Sequence, residues 1–315
     1  MRRAGPVFST VVAIFAIWYI MCLPMNIHSA VTSAERAGLE VTPEGAQERV
    51  YYGGWSLVLK NPIPANDVWS QSRARLPAPH QVAAELWRST VVEELTGRRG
   101  IVNSGSLSNR GLLHHAIVTL SATLTGFVFG TLLGVVLAVG IVRYRVMDMS
   151  VMPWAIISQT IPIVALAPMV IVVLSSIGLQ GLIPKAVISA YLSFFPVVVG
   201  MVKGLRAPDR MQLDLLHTYN ARWSEGLFKL RLPASAPYLF TSLKIAIAAS
   251  LVGAIVGELP VQRGGLGARM LAGTYYGQTE QIWAALLMAA ALAAALVALI
   301  SAAERRTLRK MGVEQ

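Results

Sequence analysis

The sequence is poor in charged residues. Asp, Glu, Lys and Arg make up 14% of its 315 residues, whereas hydrophobic residues make up 55%. A soluble surface needs about a quarter of its residues charged to remain solvated. This scarcity predicts that much of the protein surface faces a bilayer.

Cysteine is scarcer still, because Cys22 is the only one. An intramolecular disulfide is therefore excluded. The histidines show no H-E-x-x-H or related ligand spacing, so we predict no metal site; they are His28, His80, His114, His115 and His217. The chain also lacks the G-x-x-x-x-G-K-[ST] phosphate loop and contains no Gly-Lys dipeptide, which excludes an ATPase of that class. We predict no cofactor bound by this chain.

The net charge of +11 does not indicate a nucleic-acid partner. The basic residues lie between long apolar runs, and they form neither a stripe interleaved with aromatics nor a zinc-finger pattern. We therefore interpret the basic excess as a membrane-topology signal and predict no binding to nucleic acid.

Six apolar runs are long enough to cross a bilayer, since a spanning helix needs roughly 20 apolar residues. They are residues 6–25, 117–142, 151–177, 182–202, 238–257 and 282–303. If both termini are cytoplasmic, most Lys and Arg lie on the inner side, and short outer loops hold only Lys185, Arg263 and Arg269. We predict an all-α, multi-pass protein of the bacterial inner membrane.

The organisation predicted from these runs has four parts. Residues 1–25 form the first transmembrane helix, and residues 26–114 form an extracytoplasmic insert with a helix near residues 79–95. Residues 115–303 form a five-helix core that includes a cytoplasmic loop at 203–237, and residues 304–315 form a cytoplasmic tail. Contact of residues 26–75 with a binding protein is a hypothesis only.

Small residues recur every four positions in the second run, at Ala122, Gly126, Gly130, Gly134 and Ala138. This spacing predicts a groove along one helix face, into which another helix packs closely.

Prolines and polar residues interrupt the third run. Broken helices with polar groups at membrane depth are tolerated where they border protein or a water-filled cavity. We therefore predict a translocation path lined by Ser158, Gln159 and Thr160, beside Pro153, Pro162 and Pro168, together with Ser189, Tyr191 and Ser193 of the fourth run.

Two ionisable residues mark the ends of the fifth run. Lys244, near the inner end, is expected to extend its ammonium to the interface. Glu258, at the outer end, is either a gate or substrate contact on the path or a helix-end residue.

The cytoplasmic loop has helical patterning. Apolar residues recur at steps of three and four, which predicts an amphipathic stripe that packs on its own domain or contacts a partner; they are Leu216, Tyr219, Trp223, Leu227 and Leu230.

Within this loop, residues 214–223 (DLLHTYNARW) and 230–234 (LRLPA) resemble the EAA loop of binding-protein-dependent ABC permeases. That pattern reads E-A-A, three residues, G, nine residues, I-x-L-P. Asp214 takes the acidic position, Leu215 and Leu216 the alanines, Asn220 the glycine, and Leu230, Leu232 and Pro233 the I, L and P; Tyr219, Ala221 and Arg222 complete the candidate coupling loop. After glycine, asparagine best tolerates a left-handed backbone, so we expect Asn220 to preserve the turn.

The resemblance implies a type I ABC importer permease-like fold and a non-catalytic transport subunit. It implies that the loop docks onto a separate ABC ATPase subunit, which uses ATP and Mg²⁺. It further implies an extracytoplasmic solute-binding protein and assembly as a dimer, with the choice between a homodimer and a pair with a homologue left open. The loop resembles the nitrate/sulfonate/taurine branch, whereas residues 254–260, 265–267 and 275–276 are similar to permeases for pyrimidine precursors or riboflavin.

Two other functions were considered. An ion-coupled secondary transporter needs a charge buried within the membrane, and only Glu258 approaches that position. A membrane-embedded enzyme needs a nucleophile–base pair or a metal cluster, and the apolar runs contain neither.

Overall fold

A computed structural model describes residues 4–71, 74–92, 111–261 and 264–312. Within these ranges the secondary structure is helical, without strands. The chain divides into two compact units. The first comprises Met1–Leu113 and Arg269–Met288, and the second comprises His114–Ala268 and Ala289–Gln315.

The first unit begins with a long helix, α1 (Ala4–Arg36), which contains the first apolar run and continues eleven residues beyond its end at Met25. Four short helices follow, namely α2 (Ala46–Arg49), α3 (Gly54–Lys60), α4 (Ala65–Trp69) and α5 (Pro79–Trp87), with a π-helical turn at Arg88–Val92. The helix expected near residues 79–95 therefore begins at Pro79, and residues 93–95 lie outside the described residues.

The short helices pack along the C-terminal half of α1. Ile27 and Val31 of α1 form a buried apolar core with Leu57 and Val68. Hydrogen bonds also attach the segment at Leu76 to α1. The Asn26 side chain both donates to the Leu76 carbonyl (2.7 Å) and accepts from the Leu76 N–H (3.0 Å). This paired bond satisfies two backbone groups of an irregular segment against a helix.

The remaining helices are α6 (Leu112–Arg143), α7 (Arg145–Ser158), α8 (Ile163–Ser176), α9 (Leu182–Leu205), α10 (Arg210–Thr218), α11 (Trp223–Gly226), α12 (Leu232–Glu258), α13 (Leu266–Tyr276) and α14 (Thr279–Lys310). A π-helical turn at Leu227–Arg231 joins α11 to α12.

Among the described residues, five helices are long and apolar enough to span a membrane, and a sixth span exists if a bent pair of helices counts as one. That pair corresponds to the third predicted run, which was expected to be broken by proline. Residues 151–177 form two helices, because α7 and α8 meet at an angle of 101°. The break falls at Pro162, which precedes α8, lacks an N–H and keeps Ile161 out of the helical conformation. Pro153 and Pro168 lie inside the two helices without ending them.

The small-residue groove of α6 is confirmed. A Cβ added at Gly130 or Gly134 would meet the backbone of α9 at 2.8 or 2.9 Å, at the carbonyls of Ala190 and Phe194. A Cβ at Gly126 would overlap Ser189. Such distances are shorter than real Cβ contacts, so only glycine permits this approach of the two helices.

Lys244 forms an ion pair that the sequence did not indicate. Its Nζ lies 2.5 Å from Oε2 of Glu304, whose side chain is buried within the second unit. Sequence hydropathy could not show that α14 supplies a buried carboxylate at this point, because the pairing depends on how two helices pack.

Candidate functional site

The loop between α9 and α12 contains a well-capped helix. Asp209 caps the N-terminus of α10: its carboxylate accepts from the Arg210 N–H at 3.2 Å, and its own N–H donates to Gln212 Oε1 at 3.2 Å. These bonds satisfy groups that a helix start leaves unpaired. The helix begins where it does because of this local sequence.

The other end of α10 is closed by a Schellman turn. The Asn220 N–H donates to the His217 carbonyl and the Ala221 N–H to the Leu216 carbonyl, each at 3.0 Å. Asn220 has φ of +49° and is the only non-glycine residue with positive φ in the described part of the chain. The expectation that Asn220 replaces a turn glycine is therefore confirmed.

The surface of α10 is exposed along its whole length, since none of its residues is buried. Met211, Leu215 and Tyr219 lie four residues apart and are 82%, 57% and 77% exposed. Residues at this spacing share one helix face. The helix therefore carries an exposed apolar row, which we call the α10 row.

The single amphipathic stripe predicted for the loop is wrong. The turn at Asn220 separates Leu216 and Tyr219 from the residues that follow. Leu227 is buried in the core, so the stripe includes side chains with different environments. A period of three and four residues cannot reveal a reversal of the chain between two short helices.

The other residues of the candidate coupling loop surround this helix. Asp214 and Arg222 are exposed, Ala221, Leu230 and Leu232 are half-buried, and Pro233 is exposed at the start of α12. The Asp214 carbonyl accepts a hydrogen bond from the Thr218 hydroxyl at 2.9 Å. The Arg222 N–H donates to Glu225 Oε2 at 2.9 Å, and this bond caps the start of α11.

The base of the loop is fixed to the helices on either side. Arg231 Nη1 donates to the Leu205 carbonyl at 2.8 Å, which joins the end of the loop to the end of α9. The Arg143 guanidinium lies 5.0 Å from the ring centroid of Trp223, within the range of a cation–π contact. These contacts attach the base of the loop to the ends of α6 and α9.

The residues of the predicted path have different positions. Ser158, Gln159 and Thr160 lie at the bend between α7 and α8, where the Tyr191 hydroxyl donates to the Ser158 carbonyl. Gln159 Nε2 is buried there without a hydrogen-bond partner, whereas Thr160 is exposed. Tyr191 therefore lies at the bend, and the path itself stays a prediction.

Ser189 and Ser193 are fully buried between helices. Ser189 Oγ lies 2.6 Å from Ser250 Oγ, and Ser250 in turn donates to the Thr123 carbonyl at 2.8 Å. Ser193 Oγ contacts the Gly126 carbonyl at 3.4 Å. Their hydroxyls connect α6, α9 and α12, and their place on a path remains a prediction.

Glu258 is fully buried at the end of α12. Both carboxylate oxygens lie near the Thr119 hydroxyl, at 2.9 and 3.0 Å, and Oε2 accepts the Gly267 N–H at 2.9 Å. A buried carboxylate is stable only when it is paired and hydrogen-bonded, as this one is.

Residues 264–267, which we call the glycine turn, are held by several side chains at once. Thr119 Oγ1 accepts the Leu266 N–H at 2.8 Å, and His115 Nδ1 accepts the Gly265 N–H at 3.0 Å. Lys185 Nζ donates to the Gly264 carbonyl at 3.0 Å. Backbone groups of an irregular turn are thereby satisfied without water.

Lys185 therefore corrects the sequence analysis, which assigned it to a short outer loop. It is a buried residue near the start of α9, and its charge acts on Glu258. Thr119 and His115 were missed altogether. Their four-residue spacing with Thr123 forms a polar row inside an apolar run, and this signal could have identified them.

An apolar groove of about 550 Å³ lies between α9 and α12. Pro196, Gly200 and Lys203 line it from α9, and Pro237, Tyr238 and Thr241 line it from α12. The loop that carries α10 joins these same two helices. No cluster of three or more potential metal-ligating side chains occurs among the described residues.

A comparison with known families decides the class of this protein. The profile of the family described as "Binding-protein-dependent transport system inner membrane component" matches residues 130–312, more than half of the chain. The chain belongs to this family. It is a multi-pass permease of the inner membrane, as its apolar helices indicate, and the secondary-transporter and enzyme alternatives are set aside.

Individual relatives are permeases of ABC transport systems. A probable ABC transporter permease protein of Haemophilus influenzae is 33% identical over 177 residues, which are 56% of this chain and 71% of the relative. The riboflavin transport system permease protein RibX of Chloroflexus aurantiacus is 28% identical over 234 residues, or 74% of this chain and 80% of the relative. The formylaminopyrimidine transport permease protein ThiX of Halalkalibacterium halodurans is 28% identical over 167 residues, or 53% and 65%.

Proposed function

We propose that this permease couples import to ATP hydrolysis by docking the α10 row onto a separate ABC ATPase subunit. The observation that carries the proposal is the exposure of Met211, Leu215 and Tyr219 on a helix that is capped at both ends. Surface helices of globular proteins bury their apolar face, so an exposed row on a fixed helix marks a contact surface. An amphipathic helix seated in a groove is a common mode of such contacts.

The coupling follows from the chain connectivity. The loop joins the end of α9 to the start of α12, and Arg231 ties its base to Leu205. Movement of α10 therefore acts on both helices that border the apolar groove. Pro196 and Pro237 each remove a backbone hydrogen bond from these helices, which makes bending easier at the groove. In this proposal the groove opens and closes as the ATPase binds and hydrolyses ATP.

The proposed substrate is a small solute of the riboflavin or pyrimidine-precursor kind. Support comes from the similarity to RibX and ThiX, which exceeds the 21% identity to a putative aliphatic sulfonates permease of Bacillus subtilis. A solute-binding protein would deliver this solute on the extracytoplasmic face. The proposal includes a homodimer with both termini cytoplasmic, two ATPase subunits that use ATP and Mg²⁺, and a path past the bend at Ser158.

Copurification tests the docking surface. The tagged protein is purified in mild detergent from its native host, and the P-loop ATPase that accompanies it is quantified for wild type, Tyr219→Asp and His217→Asp. His217 is the matched control, because it lies on the same helix outside the α10 row and is also exposed. Loss of a buried aromatic anchor costs about 2 kcal/mol or more, a fall of roughly 30-fold in affinity.

We expect Tyr219→Asp to lose the ATPase and His217→Asp to keep it. Asn220→Gly should also keep it, because glycine adopts positive φ freely, whereas Asn220→Val should lose much of it, because a β-branched residue disfavours that backbone. Equal copurification of the ATPase with wild type and Tyr219→Asp would contradict the docking surface. Absence of any ATPase from the wild-type preparation would contradict the proposed partner.

A further inference from the structure

The N-terminal unit carries an exposed apolar patch that the transport function does not use. Its members are Val50, Tyr51, Trp55 and Leu59, and we call them the insert patch. Tyr51 is 90% exposed and Leu59 is 86% exposed. They precede the family match, which begins at residue 130. Soluble surfaces rarely group such large apolar side chains, so something other than water covers them.

The depth of the patch in the structure identifies what covers it. Helix α3 begins at Gly54, which packs so tightly on α1 that an added Cβ would overlap the Pro24 carbonyl. The apolar run of α1 ends at Met25. Twenty helical residues extend about 30 Å, the thickness of the hydrocarbon core, so the end of this run is the edge of the bilayer. Gly54 thus places the patch at that edge.

An aromatic cluster marks the same level independently. The Tyr19 and Trp69 rings are 5.1 Å apart, and the Tyr19 hydroxyl lies 3.1 Å from His80 Nδ1. Tyrosine and tryptophan concentrate at the headgroup region, where one end of the ring is apolar and the other is wet. Tyr19 precedes Pro24 by five residues, or about 7.5 Å along the helix. Both markers therefore place α3 in the interfacial region.

Lipid also adjoins the patch along α1. From Val11 to Met25 the exposed side chains of α1 are apolar, with Ile20, Met21 and Met25 the last of them. Lys60 ends α3 with its Nζ 4.3 Å from the ring centroid of Tyr52, so the charged end of α3 lies against an aromatic face. Short segments with apolar and aromatic side chains bind membranes by burying that face about 5–10 Å into the boundary.

We propose that the insert patch is an interfacial membrane anchor, which holds the N-terminal insert against the surface of the bilayer that α1 crosses. The insert then rests on lipid and does not project freely into water. The patch is apolar, and Glu44 and Glu48, which precede it in the sequence, carry negative charges that anionic headgroups do not attract. Insertion of apolar side chains therefore supplies the binding of the patch to the bilayer.

Site-directed spin labelling of the full chain tests this anchor. Cys22 is the only cysteine, so Cys22→Ala gives a background for single labels at Tyr51→Cys and Leu59→Cys. The protein is reconstituted into vesicles of phosphatidylethanolamine and phosphatidylglycerol. Collision of the nitroxide with oxygen, which concentrates in hydrocarbon, is compared with collision with a water-soluble nickel chelate.

Two control positions bracket the expected result. Ile14→Cys places the label in the middle of the α1 run, on an exposed lipid-facing position. Arg36→Cys places it at the last residue of α1, about 18 Å past Pro24 along the helix. Both positions are exposed, so labelling leaves the core intact.

We expect labels at positions 51 and 59 to show a several-fold higher oxygen-to-nickel collision ratio than the label at position 36. Ratios equal to that at position 36 would overturn the anchor and leave the patch to a water-soluble partner. Low collision with both reagents would overturn it as well, because the cover would then be protein, such as a second copy of the chain.

Discussion

Replacing Thr119 by valine removes one hydroxyl and keeps the shape of the side chain. That hydroxyl faces both oxygens of Glu258 and accepts the N–H of Leu266, so it joins α6, α12 and the glycine turn. Its two partners, Glu258 and Leu266, are both fully buried. The substitution therefore isolates the polar contribution of a single atom to the packing of three segments.

The expected loss of unfolding free energy follows from the hydrogen bonds that the Thr119 hydroxyl makes. It has one proton, shared between the two carboxylate oxygens, and it accepts one bond from Leu266. Loss of a donor to a charged acceptor costs about 1.5–3 kcal/mol, and an unsatisfied buried N–H costs about 1–3 kcal/mol. Hydrogen bonds between membrane helices contribute only about 0.6 kcal/mol on average, because the unfolded chain finds other partners. We therefore expect a fall of roughly 2–4 kcal/mol in the free energy of unfolding.

Unfolding of the purified protein by increasing SDS in mixed micelles, followed by tryptophan fluorescence, measures this difference. Thr119→Ser retains the hydroxyl and should unfold close to wild type, and Ser121→Ala removes an exposed hydroxyl from the same helix. Thr119→Val should have a smaller effect in a Glu258→Gln background, since the two residues share a network. A midpoint for Thr119→Val equal to that of wild type would refute the assigned role of the hydroxyl.

Two further substitutions test how glycine permits close packing. Gly264 and Gly265 both have positive φ, but only a Cβ at Gly265 would overlap the buried carboxylate of Glu258. Gly264→Ala should therefore lose about 1–2 kcal/mol of unfolding free energy from backbone strain alone. Gly265→Ala should lower the unfolding midpoint well below that of Gly264→Ala. Equal midpoints would exclude the overlap. Gly130→Leu should prevent recovery of monodisperse protein on size-exclusion chromatography, because its side chain would enter the α9 backbone, whereas Leu132→Ala on the exposed face of α6 should leave the elution profile unchanged.

Local sequence signals predicted several features correctly. The small-residue spacing of α6 predicted a close helix contact, and the structure gives its partner as α9. Asn220 was expected to adopt a left-handed backbone from its residue type and its place after a short helix, and it does. Both predictions depend on residues within a few positions of each other, where sequence and geometry are directly related.

The prolines in residues 151–177 predicted a broken helix, and the structure gives the angle of the break as 101°. Hydropathy measures composition and contains no information on direction, so it could not distinguish a kinked span from a bent pair. The predicted stripe from Leu216 to Leu230 failed because a local pattern was extended over a break, the turn at Asn220.

The sequence by itself determined that this chain is a membrane protein with long apolar helices. Length and composition suffice for that conclusion, because the bilayer requires about 20 apolar residues in each span. Only the tertiary structure decided that Thr119 and Glu258, which are 139 positions apart, share a buried hydrogen bond. Neither residue alone indicates the other, since a buried charge acquires its partner only when the helices that carry both residues pack together.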